Sequence, residues 1–252
     1  MTKVQFAPVL AVAGGAAGLF VVSDYTHLSP FGWIAGILYL VLSNLLLARG
    51  LRRSGMPHFG PANTVTAARS SLVALVTALV ATSFTDPIPV ALLVCLATPA
   101  LALDAVDGWV ARRTHSESDL GARFDMEVDA YLLLALGAYV AQDLGWWVML
   151  IGALRYLFIA AGWMLPWMRA TLPPRYWRKV VTACAGIGLV AAASGLFAEW
   201  VSWAVTLTAL ALLLESFGRD VVWLVREQRA AVDAGSVSGS ASVSAPAGAE
   251  PA

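Results

Sequence analysis

Four of the five aspartates in "LDAVDGWVARRTHSESDLGARFDMEVDA", Leu103 to Ala130, stand at helical spacings. Asp104 and Asp107 are three residues apart and Asp125 and Asp129 four apart, so at 100° per residue each pair lies on one face of a helix. Gly121 falls one turn before Asp125 on the same stripe. Carboxylates are hard oxygen donors, and two divalent cations would cancel four of them while leaving coordination positions open for phosphate oxygens. The spacing therefore predicts a dimetal site for phosphate chemistry. The competing reading is a structural ion-pair network in which Arg112, Arg123 and Arg155 neutralise the same acids.

The elements that must carry these residues are membrane helices. Hydrophobic residues make up 59% of the 252 and charged residues only 13%, far from the balance of a water-soluble domain. Apolar runs recur near 5–22, 31–48, 64–83, 88–111, 120–141, 146–167, 178–197 and 203–223, each roughly long enough to cross a 30 Å hydrocarbon core. The runs are continuous and rich in Leu, Ala and Gly, unlike the alternating segments of a β-barrel. The expected fold is an all-α integral membrane protein, a polytopic bundle of about eight transmembrane helices. If the interface lies near Arg112 and Asp119, Asp104 is about 12 Å and Asp129 about 15 Å inside. Four unpaired acids there would cost on the order of 10 kcal/mol, so something must neutralise them. The short connection "RRTHSESD" predicts that the two helices are antiparallel neighbours with their carboxylates facing across one cleft.

Basic residues fix the expected sidedness. Arg49, Arg52 and Arg53, Arg112 and Arg113, Arg169 to Lys179, and Arg219 to Arg229 follow alternate spans, whereas the loops at Asp24, Asp86, Asp143 and Glu199 carry acids and no Lys or Arg. Both termini and the aspartate site are therefore expected on the cytoplasmic side of the cell or inner membrane. Residues 4–22 read as a retained span, since "VVSDYTHLSP" offers no clear small-residue cleavage site. Residues 230–252, small and polar, read as a disordered tail. Cys95 and Cys184 have no metal-ligand spacing and read as core packing, and His27, His58 and His115 form no triad or zinc set. No nucleic-acid partner is expected.

The pattern Asp104-x2-Asp107-Gly108-x2-Ala111-Arg112-x8-Gly121-x3-Asp125-x3-Asp129 resembles the full signature of the CDP-alcohol phosphotransferase (CDP-alcohol phosphatidyltransferase) family. The resemblance implies a six-helix catalytic core over residues 61–229, with residues 1–60 as two additional N-terminal helices whose role it does not explain. It implies a phospholipid-synthesising transferase that moves a phosphatidyl group from CDP-diacylglycerol to an alcohol, releasing CMP, with Mg2+ or Mn2+ at two positions per site. By the same resemblance Asp104, Asp107, Asp125 and Asp129 hold metal, and Asp129 is also the general base. Gly108, Ala111 and Gly121 allow close approach of the nucleotide, and Arg112 pairs with a donor phosphate. "PANTVTAARS" is similar to a second family element, although Ala62 separates Pro61 from Asn63. Asn63, Thr66 and Arg69 keep their mutual spacing and are candidates for nucleotide contact at the cytoplasmic rim, the alternative being helix capping by Asn63 and interfacial anchoring by Arg69. The family also implies a homodimer.

The acceptor is read from cations outside the signature. Arg155 lies about 13 Å from the outer interface at Trp146, and an intramembrane arginine marks a functional site unless it balances the aspartates. Arg175, Arg178 and Lys179 in "PPRYWRK" either flank the cleft mouth or anchor a helix. Together they suit a phosphorylated polyol, such as inositol phosphate or glycerol phosphate. An unphosphorylated alcohol acceptor and, outside the class, a cation-coupled transporter are the alternatives. Glu215, Arg219 and Asp220 form a local pair or line the cleft.

Overall fold

The structure, a computed structural model, describes residues 6–54, 61–114, 119–170 and 176–243, with side chains described at 11–50, 67–103, 121, 124–168, 170 and 177–229. The described chain forms eight α-helices: α1 (Phe6–Tyr25), α2 (Pro30–Ser54), α3 (Pro61–Ser83), α4 (Val90–Thr114), α5 (Asp119–Leu144), α6 (Leu150–Met164), α7 (Tyr176–Ala193) and α8 (Glu199–Val243). One falls on each apolar run of the sequence, and no strand occurs among the described residues. Segments Pro30–Gly50, Trp146–Met164 and Glu199–Arg229 are long and apolar enough to cross a bilayer by length and composition, and Ala11–Tyr25, Ala67–Ser83 and Val90–Leu103 are shorter apolar helices.

Local chemistry sets the helix ends. Ser29 caps α2 by accepting a hydrogen bond from the Gly32 N–H at 3.1 Å, and Pro30 opens the helix where a missing N–H costs nothing. Gly145 takes φ 99°, a conformation that L side chains resist. It turns the chain out of α5 into the 3-10 turn Trp146–Met149. The α8 helix continues to Val243, into the 230–252 segment that reads as disordered. Residues 224–234, "LVREQRAAVDA", are mostly strong helix formers, which extends the helix past its apolar part.

Helix α3 is the hub, packing along α1, α2, α4 and α5. Its wall holds fully buried Val73, Val76, Ala78 and Leu79. The α2 seam is backbone-close: a methyl group at Gly36 would sit 3.0 Å from Ala78 Cβ, and one at Gly32 would sit 2.7 Å from the Ala78 carbonyl. Small residues four apart permit such an approach in lipid, where packing rather than the hydrophobic effect drives association. Between α5 and α6, a methyl at Gly152 would overlap the Leu134 backbone. Helix α7 presses Gly186 onto Leu101 of α4 and Leu133 of α5.

Two expectations change. Helices α4 and α5 touch each other only locally, and α3 packs broadly along both. They are tied through α3 and α7 more than to each other. Cys95 and Cys184 are exposed rather than packed in the core; cysteine behaves as a small hydrophobe, so an apolar outer surface suits it equally.

Candidate active site

Asp125 and Asp129 sit one turn apart on α5 and converge on one residue. The Arg69 guanidinium, carried by α3, pairs through Nη2 with Asp125 Oδ1 and lies 3.2 Å from Asp129 Oδ1. The same nitrogen also donates to the Asp125 carbonyl at 3.1 Å. Arg69 has no exposed side-chain surface, while Asp125 keeps 27% and Asp129 20%. The cation is thus more deeply buried than either acid, and each acid keeps some exposed surface. A buried arginine is tolerated only where acids hold it, because an unpaired charge in this setting costs several kcal/mol.

Arg69 is therefore buried within the bundle rather than an exposed interfacial anchor. Its depth was readable: it stands eight residues past Pro61, where α3 begins, or about 12 Å along the helix.

Helix α7 fixes the level of the site. Gly186 packs on Leu101 and Leu133; Asp104 follows Leu101 by three residues and Asp129 precedes Leu133 by four. On antiparallel helices both steps lead one turn toward the α4–α5 connection, so the two backbone positions share one layer. The side chains of Asn63, Thr66, Asp104, Asp107, Ala111, Arg112 and Arg123 lie outside the described residues, as does the whole of Arg175; Gly108 lies on α4 and Gly121 on α5.

Three further cations among the described residues have acidic partners. Arg155 of α6 pairs with Glu127 of α5 at 2.6 Å, and Glu127 lies 200° around the helix from Asp125. Its Nε is buried without a hydrogen-bond partner. Arg178 on α7 lies 3.4 Å from Asp220 on α8, whose side chain is only 5% exposed. Lys179 is exposed. Arg219 pairs with Glu215 one turn earlier, and Glu215 accepts a hydrogen bond from Trp177 Nε1 at 3.2 Å. Glu127 is a partner that the sequence did not single out; of Glu215, Arg219 and Asp220, the first two form the local pair and Asp220 reaches Arg178 on α7.

Among the described residues no group of three or more His, Cys, Asp or Glu side chains is gathered at one point. The described half of the signature still fits a divalent cation, since two carboxylates present accessible oxygen donors on one stripe. The family model for CDP-alcohol phosphatidyltransferase matches residues 59–214. Neither a curated protein nor a solved structure matches the chain.

Proposed function

The chain belongs to the CDP-alcohol phosphatidyltransferase family, membrane transferases that move a phosphatidyl group from a CDP-alcohol to an acceptor, and from that premise we propose its donor, acceptor and catalytic residues. The donor is CDP-diacylglycerol. The acceptor is a phosphorylated polyol such as inositol phosphate or glycerol phosphate, and CMP leaves. Asp104, Asp107, Asp125 and Asp129 hold two divalent cations, Mg2+ or Mn2+. Bound there, the cations supply charge neutralisation for the donor pyrophosphate.

The residues supply the rest. Asp129 accepts the proton of the acceptor hydroxyl as its oxygen bonds to the phosphatidyl phosphorus and the phosphorus–oxygen bond to CMP breaks. Arg112 pairs with a donor phosphate. Asn63 and Thr66 contact the nucleotide, and Gly108, Ala111 and Gly121 keep the helix walls low beside it. Arg155, Arg175, Arg178 and Lys179 attract the acceptor phosphate. The unpartnered Arg155 Nε supports this assignment, as an N–H still able to donate. All eight helices span the membrane, with both termini and the site cytoplasmic, and two copies associate.

The observation that carries this reading is the convergence of Asp125 and Asp129 on the buried Arg69 guanidinium. It also sets a charge balance. Four ionised carboxylates and one guanidinium sum to −4 + 1 = −3, and two divalent cations bring the site to +1, a net charge suited to a pyrophosphate. A purely structural ion-pair network would contain the same trio, so turnover decides. Purified protein is expected to release CMP from CDP-diacylglycerol only with divalent metal and an acceptor, tested across glycerol phosphate, inositol phosphate, inositol and serine. Metal-independent release, or none with any acceptor, would sink the proposal.

A further inference from the structure

The two N-terminal helices lie outside the matched residues 59–214, yet α2 touches both sides of the Arg69 trio. On the α3 side, Ser70 follows Arg69 directly and donates to Ser43 Oγ of α2 at 3.1 Å. Ser43 in turn donates to the Leu40 carbonyl at 3.3 Å. The Tyr39 side chain lies beside the Ser70 side chain and within electrostatic reach of Arg69. A chain of hydroxyls thus runs from Ser70 to Ser43 and ends on the α2 backbone. Ser43 and Ser70 are 6% and 1% exposed, so breaking one link strands a buried polar group.

On the α5 side, the Tyr39 ring stacks on Tyr131 with centroids 4.4 Å apart and planes 28° apart. Tyr131 follows Asp129 by two residues, and its side chain lies beside Thr77 of α3. Tyr39 therefore bridges the helix that carries the guanidinium and the helix that carries the carboxylates. Its own position is fixed by the seam above it. Gly36 lies against Ala78 and Ala74, and at the far end the Ser29 N–H donates to Thr82 Oγ1 at 3.2 Å. Helix α2 cannot slide along α3 without breaking both ends of that register.

We infer that α2 is a positioning element for the metal-holding carboxylates: through Tyr39, Ser43 and Ser70 it sets the separation of Arg69 from Asp125 and Asp129. This rests on the dimetal reading of the site. It gives the extra helices a task in the chemistry, and Tyr39 is a positioning residue, not a catalytic one.

The test uses the full chain in lipid nanodiscs, with Mn2+ binding followed by electron paramagnetic resonance and turnover by CMP release. Tyr39→Phe keeps the stack and loses the hydroxyl; it is expected to lower Mn2+ affinity and kcat by about 3-fold. Tyr39→Ala loses both contacts and is expected to lower them by about 10-fold, with the acceptor KM unchanged. In an Arg69→Lys background the Tyr39→Phe effect should vanish, since neighbouring groups that act through one another are not additive. Leu38→Ala, on the exposed side of α2, should change neither readout. Folded Tyr39 variants with wild-type Mn2+ affinity and kcat overturn the inference, as does a Tyr39→Phe loss that persists undiminished with Arg69→Lys. Wild-type protein that releases no CMP overturns the phosphotransferase reading instead, a separate outcome scored before any variant is made.

Discussion

Helix α5 receives an arginine on each of two opposite faces, and the two meet very different surroundings. On one face Arg69, fully buried, is shared by Asp125 and Asp129. On the other Arg155, 27% exposed, meets the single acid Glu127, 43% exposed. In the first the cation is fully buried and shared by two acids. In the second the cation is partly exposed and held by one pair. The contrast teaches that intramembrane charge alone does not mark a catalytic centre: number of partners, depth and the stiffness of the surrounding helices separate a site built to hold geometry from one able to rearrange around a ligand.

The sharpest way to break the comparison is to neutralise one acid on each face. Asp129→Asn should lower kcat by about 10³-fold while Mn2+ binding persists, the size expected for loss of a general base. Glu127→Gln should cost less than about 10-fold in the same CMP assay. Equal losses would erase the distinction between the faces. Removing the cations comes next. Arg69→Met leaves two acids without their partner and should destabilise the fold by about 3 kcal/mol, read from denaturant unfolding. Added Mn2+ should recover part of that loss, because a ligand that binds the folded state stabilises it.

A smaller effect tests how the second face is placed. Gly152→Val forces a side chain into the Leu134 backbone and should cost about 2 kcal/mol, shifting Arg155 away from Glu127. The smallest change in stability belongs to Arg155→Met, under about 1 kcal/mol for a half-exposed pair. Its signature is kinetic: KM for a phosphorylated acceptor should rise about 10-fold with kcat little changed, and an unphosphorylated alcohol should feel nothing.

Much of this was legible in the residues. Continuous apolar runs located all eight helices because length and hydropathy are local properties. The Asp104–Asp129 pattern pointed to the family, and helical period put Asp125 and Asp129 on one stripe. Pairing between helices was harder. The spacing of Arg69 from Asn63 identifies no partner, whereas the fold brings it onto Asp125 and Asp129 of α5. The α4–α5 connection is short, yet α3 and α7 do most of the joining, because packing follows the small faces at Gly186 and along α3 rather than loop length. Cys95 and Cys184 failed as core residues for a related reason: in a bilayer, apolar character does not distinguish inside from outside.

The glycine pair on α2 has one more consequence. Gly32 and Gly36 form the most obvious handhold on this molecule for another transmembrane rod, and α3 already occupies it. Another helix could use that handhold only by prising α2 away from α3, and with it the Ser29–Thr82 and Ser43–Ser70 contacts.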